Sequence, residues 1–170
     1  SLPWFMIGFK DNIKDKYNEV VKRHIAIEII LNMLIGKSSN LYNELYKEGY
    51  LLSQPDLEYE FGNEYSHVLI GGQSKNPQKA YEKIAEKIQE MKNNDINVQE
   101  FERIKKKIYG DYAVEYNNVA DIGRMFTSDY IKGINSFEYM DKFKEIDAEY
   151  AKQVLKEIFT EDKMIMSVIK

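Results

Sequence analysis

The chain contains two histidines, and one of them stands near a carboxylate at a spacing that could bind a metal. His24 and Glu28 are four residues apart, which places both side chains on one face of a helix. A catalytic zinc site needs three protein ligands, and the other histidine, His67, lies on a predicted strand. The H-x-x-E-H arrangement of a zinc-binding helix is also absent. We therefore predict a solvated His–Glu pair and no metal.

Three other patterns that could do chemistry have simpler explanations. The Gly-Lys-Ser sequence at 36–38 resembles the end of a phosphate-binding loop, but such a loop needs a glycine where Leu31 stands and must follow a strand. Glu58 and Glu60 fall on one face of a half-exposed strand, so alternation accounts for them without paired-carboxylate catalysis. The lysine run at 105–107 is interpreted as the solvated face of a helix.

Four segments have the residue pattern of β-strands. Leu57, Tyr59 and Phe61 alternate with acidic residues, so we expect these three to share one face of a sheet. Gly62 and Asn63 follow them and favour a tight turn, which predicts an antiparallel hairpin. The predicted strands are Trp4 to Phe9, Asp56 to Phe61, Tyr65 to Ile70 and Lys163 to Ile169.

Helices are predicted where apolar residues recur every three or four positions. The first contains Ile25, Ile29 and Met33, and we expect it to pack on the face that carries Leu57. The predicted helices are Asn18 to Leu34, one within Gly36 to Leu52, 77–92, a short one near Phe137 to Phe143, and Ala148 to Phe159. A further, long helix is predicted between the third and the short one. It contains the apolar stripe Phe101, Ile104, Ile108 and Tyr112 and continues to about Ile131, with an interruption near Asn117. Residues 11–17 are interpreted as a polar, charged loop or, alternatively, as the beginning of the first helix.

The predicted order of elements is β-α-α-β-β-α-α-α-α-β. A strand hairpin followed by a block of helices predicts an α+β fold, in which an antiparallel sheet is covered on one face by helices, rather than a doubly wound parallel sheet. No internal repeat or linker is visible, so residues 1–170 are expected to form a single domain.

The most specific stretch of the chain is Gly36 to Leu52, which joins a small-residue turn to a short helix. Ser38 or Ser39 can cap this helix by accepting a hydrogen bond from its free backbone N–H groups. Gly49 then permits the left-handed conformation that ends a helix. The segment therefore predicts a capped helix directly after the first, strongly apolar helix.

This segment resembles the motif small-Gly-x-S-[SR]-x-L-[FY]-x-x-[IL]-R-x-x-x-G-[LY] of the insulinase, pitrilysin and mitochondrial-processing-peptidase superfamily of zinc metallopeptidases, which belong to the inverzincins. The similarity is greatest to the bacterial two-domain peptidases. In such proteins one domain holds zinc, and a similar metal-free domain helps to grip the peptide. The resemblance implies that this chain is the metal-free, C-terminal half, and that zinc and catalysis belong to an N-terminal domain outside it.

The resemblance also implies where bound peptide is held. The family motif places an Arg at the position of Tyr46 and a Tyr seven residues later, where this chain has Ser53, so the usual pair is altered. We name Tyr46 and Tyr50 as candidate substrate-binding residues, with no catalytic or metal-binding residue in the chain. The implied function is the catalytically silent, substrate-chamber half of a zinc endopeptidase acting on peptides or unfolded proteins. The alternative is a non-enzymatic homologue that serves as a scaffold or assembly partner.

Composition narrows the classes of partner. The net charge is −4 and three residues are Arg, so no basic surface follows a nucleic-acid backbone. No apolar run approaches the roughly 20 residues of a membrane span. The chain has no Cys, which excludes disulfides and thiol chemistry. We expect a cytoplasmic protein whose partners are its substrate and the zinc-bearing domain of the same protein, and a homodimer is left open.

Overall fold

A four-stranded antiparallel sheet and a layer of helices make up the protein, for which a computed structural model describes residues 2–12 and 19–170. The strands are β1 (Trp4–Lys10), β2 (Asp56–Phe61), β3 (Ser66–Gln73) and β4 (Met164–Ile169). The helices are α1 (Val20–Ile35), α2 (Asn40–Lys47), α3 (Pro77–Asn93), α4 (Val98–Glu115), α5 (Val119–Ile131), α6 (Glu138–Lys142) and α7 (Ala148–Ile158). Two 3₁₀ turns follow α6 and α7, at Phe143–Glu145 and Glu161–Lys163.

The strand order in the sheet is β2-β3-β1-β4, with every neighbouring pair antiparallel. β1 lies in the middle, where Ile7 is opposite Ile70 of β3 and Met166 of β4. The last strand, β4, therefore pairs with the first, β1. β2 and β3 pair as the predicted antiparallel hairpin. At its turn the backbone N–H of Gly62 donates a hydrogen bond of 2.8 Å to the carbonyl oxygen of Tyr65.

The helices cover one face of the sheet, as predicted. On β1 the side chains of Phe5, Ile7 and Phe9 are buried, whereas Trp4 and Met6 on the opposite face are exposed. This alternation is what a strand with one covered face requires. The α+β fold class predicted from the order of elements is confirmed.

Helix α1 runs through the centre of the helical layer. It packs against β2 and against α2, α3, α4, α6 and α7. Twelve of its sixteen residues are buried, and most of these are aliphatic. A helix that is apolar on nearly all sides is one that the rest of the domain surrounds. It ends at Gly36, where a Cβ atom would lie 2.5 Å from the carbonyl oxygen of Asn32.

The predicted elements correspond to observed ones, with one difference in number. Five helices follow the hairpin rather than four, because the predicted interruption near Asn117 separates two helices. There Asn118 accepts hydrogen bonds from the backbone N–H groups of Ala120 and Asp121 and so begins α5. Tyr59 and Phe61 are buried and Leu57 is half-buried, so the predicted face of β2 is confirmed. Most of the predicted polar loop and the start of the first helix, at 13–18, lie outside the described residues.

A buried ion pair connects four elements of the fold. Asp11, directly after β1, accepts hydrogen bonds from the Nε and Nη2 atoms of Arg23 at 2.9 and 2.7 Å, and from the hydroxyl of Tyr59 at 2.7 Å. Arg23 on α1 also donates to Glu157 of α7 at 2.8 Å. Burial raises the pKa of Asp11, but the hydrogen bonds and the charge of Arg23 outweigh burial and lower it below 3.8. The pair therefore stabilises the fold at neutral pH and loses this contribution as the pH falls below that value.

Within the described ranges, none of the helices combines the length and the apolar content that a membrane crossing requires.

The glycines of the helical layer allow a test of these helix positions. Gly110 lies inside α4, and a Cβ atom there would meet nothing within 4 Å. We expect Gly110→Ala to raise the free energy of unfolding by roughly 0.5–1 kcal/mol, because alanine favours the helix and restricts the unfolded chain. Gly36→Ala is the contrasting variant and should lower it by about 1 kcal/mol or more through its clash with Asn32. Urea denaturation measures both, and equal effects of the two variants would contradict the described backbone.

Candidate functional site

A cleft of about 710 Å³ opens beside α1 and is bounded by α4, α5, α6 and the chain that enters β2. The side chains of His24 and Glu28 reach it from α1, and Tyr112 and Tyr139 reach it from α4 and α6. The structure thus places the two residues that suggested a metal site in the wall of a cleft. Their environment decides what chemistry the cleft can support.

His24 lies in an aromatic enclosure. Its Nδ1 atom is 2.9 Å from the hydroxyl of Tyr139, and its ring packs against Tyr59, Phe61 and Tyr139 with centroids 5.5–5.6 Å away. Burial, together with the nearby charge of Lys132, lowers the pKa of His24 to about 4. The imidazole is therefore neutral at physiological pH, and one of its nitrogens is already in a hydrogen bond with a phenol.

Glu28 lies one turn further along α1. Its Oε2 atom accepts a hydrogen bond of 3.1 Å from the hydroxyl of Tyr112. Burial raises the pKa of Glu28 to about 7, against the lowering effect of that hydrogen bond, and the charges of Glu115 and Asp111 raise it further. A substantial fraction of this carboxyl is therefore protonated at neutral pH, unlike an ordinary surface glutamate.

The prediction of a solvated His24–Glu28 pair is wrong. Each side chain is half-buried and is hydrogen-bonded to a tyrosine, His24 to Tyr139 of α6 and Glu28 to Tyr112 of α4. The physical reason is the packing of α4 and α6 over α1, which brings Tyr112 and Tyr139 to its polar positions. Across residues 2–12 and 19–170, no group of three or more His, Asp or Glu side chains is arranged to hold a metal ion.

Carboxylates dominate the rest of the cleft. Asp56, Asp111 and Glu115 line it, and Lys107, which also lines it, is paired with Asp111 at 2.7 Å. Asp129 is buried and accepts a hydrogen bond of 2.7 Å from the hydroxyl of Ser136, and burial raises its pKa. Such a lining favours neutral hydrogen-bond donors and positively charged groups over anions.

The predicted substrate-binding tyrosines lie on and just after α2, outside the lining of the cleft. Tyr46 has 54% of its surface exposed and stacks on Tyr42, with ring centroids 5.8 Å apart. Tyr50 is half-buried and packs against the core. Tyr46 is therefore free to contact another molecule through its ring edge and hydroxyl, whereas much of Tyr50 is occupied by packing.

The helix that carries Tyr46 has the local structure expected from its sequence. The hydroxyl oxygen of Ser39 accepts a hydrogen bond of 3.1 Å from the backbone N–H of Tyr42, which caps α2. Gly49 has φ of +75°, the left-handed conformation that ends the helix. Arg103 of α4 donates to the hydroxyl of Ser38 at 3.2 Å and so connects the turn before α2 to the helical layer.

Sequence reasoning missed the tyrosine hydroxyls of the cleft. Tyr112 was recognisable as the last member of an apolar helical stripe, which indicates its burial but not the carboxylate to which it donates. No pattern indicated that Tyr139, 115 residues from His24, would contact it. These are tertiary contacts between helices, and hydrophobic periodicity carries no information on which polar groups such contacts bring together.

Solved structures share this fold at low sequence identity. The chain aligns with an M16-like peptidase of Alicyclobacillus acidocaldarius with a TM-score of 0.89 and 22% identity, over 99% of this chain and 40% of that one. It aligns with a zinc protease of Bordetella pertussis with a TM-score of 0.81 and 12% identity, over 100% of this chain and 94% of that one. The antiparallel sheet with one helical layer is therefore a fold that this chain shares with both proteins.

The sequence specifies the family. The chain belongs to the Peptidase M16 inactive domain family, whose sequence profile matches residues 9–108. It is also 25% identical over 165 residues to the uncharacterized zinc protease YmfH of Bacillus subtilis, which covers 95% of this chain and 38% of that protein. The chain thus spans less than half the length of this curated relative. The resemblance inferred from Gly36 to Leu52 is confirmed.

The raised pKa of Glu28 predicts a pH-dependent stability. Glu28 has a folded-state pKa of about 7 against an ordinary value of 4.5, so its stabilising contribution is complete below 4.5 and is lost as the pH rises through 7. Glu28→Gln keeps an acceptor for Tyr112 but cannot ionise. We expect the variant and the unaltered protein to be equally stable near pH 4.5, and the variant to be more stable at pH 8 by about 3 kcal/mol.

Urea denaturation at the two pH values measures this difference. Asp56→Asn is the matched control, because Asp56 lines the same cleft but is exposed, and it should change stability by less than about 0.5 kcal/mol at either pH. A Glu28→Gln effect that is the same at pH 4.5 and pH 8 would show that the carboxyl has an ordinary pKa.

Proposed function

We propose that this domain is the catalytically silent, substrate-chamber half of a zinc-dependent endopeptidase. The observation that carries the proposal is the cleft beside α1, whose polar residues are held by tyrosines, in a chain of the Peptidase M16 inactive domain family. The relatives described as zinc proteases support it, and YmfH is long enough to contain a second domain. Zinc, when bound by that companion domain, would activate the water that attacks the peptide bond.

The role of this half is to hold the peptide rather than to cleave it. The exposed hydroxyl of Tyr46 can donate a hydrogen bond to a peptide carbonyl, although it lacks the fixed positive charge of an arginine. Tyr50, one residue after Gly49, is the second proposed contact. The acidic lining of the cleft would favour a peptide with positively charged side chains or a free amino terminus. The proposed substrate is therefore a peptide or an unfolded protein segment. The proposed location of the protein is the cytoplasm.

A second candidate function is a non-enzymatic scaffold or assembly partner. Tyr46 in the position of the motif's arginine favours it, because that exchange removes a cation from the proposed substrate contact. The two functions are distinguished by the companion domain: a peptidase requires an H-x-x-E-H helix and a further zinc ligand there. A homodimer stays a prediction under either function.

The substrate-holding role predicts the effect of removing one hydroxyl. Tyr46→Phe in the full-length protein should lower kcat/KM for peptide hydrolysis about tenfold, which corresponds to about 1.4 kcal/mol of transition-state stabilisation. The fold should be unaffected, because Tyr46 is exposed and its stacking on Tyr42 is kept by phenylalanine. Peptide turnover and thermal unfolding of the same preparation measure the two effects.

Tyr65→Phe is the matched control, because Tyr65 is exposed to a similar extent, at 53%, and lies in the turn of the hairpin. It should leave turnover unchanged. If Tyr46→Phe also leaves turnover unchanged while Tyr46→Ala destabilises the fold, Tyr46 is a packing residue and its assignment to the substrate is wrong.

A further inference from the structure

Helix α5 is the least buried long helix of the described chain. Over its 13 residues only Asp129 is buried, and that residue is polar. By comparison, α2 has eight residues and buries both Leu41 and Leu45. The domain therefore gives α5 little of the apolar packing that holds its other helices in place.

One stripe of the exposed surface of α5 is nevertheless apolar, although Arg124 and Thr127 are exposed beside it. Val119, Gly123, Phe126 and Tyr130 are spaced at i, i+4, i+7 and i+11 and so form one stripe along the helix. The exposed fractions of the three side chains are 84% for Val119, 44% for Phe126 and 74% for Tyr130. Phe137 extends the patch, since its ring packs against Phe126 with centroids 6.0 Å apart and 58% of its surface is exposed. We call these five residues the α5 face.

Such a helix is poorly stabilised by the domain alone. Isolated helices shorter than about 12–15 residues are marginal in water. A glycine in a helix interior costs about 1 kcal/mol relative to alanine, and a Cβ atom at Gly123 would meet nothing within 4 Å, so the domain offers no packing reason for a glycine there. Contiguous exposed apolar surface of this kind marks an interaction site. An open glycine in its centre lets the backbone of a second helix approach closely.

The other side of α5 faces the cleft. Met125, Ser128 and Asp129 belong to the cleft lining, so α5 is a wall with the cleft on one side and the α5 face on the other. A partner seated on the α5 face would lie at the edge of the cleft. This continuity favours a partner that encloses the cleft over one that binds elsewhere on the domain.

The lengths of the relatives indicate which partner this is. This chain covers 38% of YmfH and 40% of the Alicyclobacillus protein, so each has more than half its residues outside this domain. A domain in the same polypeptide is present at an effective concentration that a separate molecule seldom reaches. We infer that the α5 face is the surface on which a helix of the companion domain packs. This inference rests on the proposed two-domain architecture, but it does not require peptidase activity.

Site-specific labelling tests the inference, because the chain contains no cysteine. Val119→Cys, Tyr130→Cys and Val98→Cys are prepared separately in the full-length protein and treated with a maleimide, and mass spectrometry follows labelling of the peptide that holds each site. Val98 is the matched control: like Val119 it is the first residue of a helix with an asparagine cap, and 59% of its surface is exposed. Labelling in urea supplies the rate of each fully accessible thiol.

We expect the thiols at 119 and 130 to react at least about tenfold more slowly than the thiol at 98, once each rate is divided by its rate in urea. The slow reaction should persist on dilution, because the covering domain is in the same chain. Equal rates at the three sites would overturn the inference. The inference would also be overturned if the slow labelling were lost on dilution while sedimentation showed a dimer dissociating to a monomer. That result would assign the α5 face to a second copy of the chain. If the thiols at 119 and 130 react slowly but the full-length protein hydrolyses no peptide, the interface is supported and only the proposed peptidase function is contradicted.

Discussion

The burial of α1 on nearly all sides is the constraint on which the rest of the structure depends. Because β2 and five helices pack around it, most residues of α1 are apolar, and a polar residue buried among them must find a partner. Arg23 is satisfied by Asp11 and Glu157, which connects the end of β1 to α7. His24 and Glu28 are satisfied by tyrosines of α6 and α4. The polar groups of one helix thus fix the positions of the elements around it.

The same constraint determines the chemistry of the cleft. A metal-binding helix has to present deprotonated ligands towards a shared ion, whereas here each polar side chain is engaged by a different neighbour. Burial keeps His24 neutral with a pKa of about 4 and moves the pKa of Glu28 to about 7. The cleft therefore contains neutral hydrogen-bonding groups, and the side chains around them are mainly carboxylates. This character is consistent with a family described as inactive.

Much of the fold could be predicted from the sequence, because the signals for it are local. Periodicity located the strands and the helices, the serine pair at 38–39 marked the start of α2, of which Ser39 is the cap, and Gly49 marked its end. The environment of the cleft could not be predicted in this way. Whether Glu28 is solvated depends on Tyr112, which is 84 residues away and is brought to it only by the packing of α4 on α1. The proposed roles of Tyr46 and Tyr50 depend on contacts with the proposed companion domain, which hydrophobic periodicity within this chain does not report.

The cleft beside α1 is assigned no metal, and the zinc of the full-length protein is proposed to be bound by another domain. Zinc analysis of the full-length protein beside a His24→Ala, Glu28→Gln double variant tests it most directly. We expect one zinc per chain in both proteins, because neither residue is a ligand. A second zinc in the unaltered protein, or the loss of zinc from the folded double variant, would contradict it.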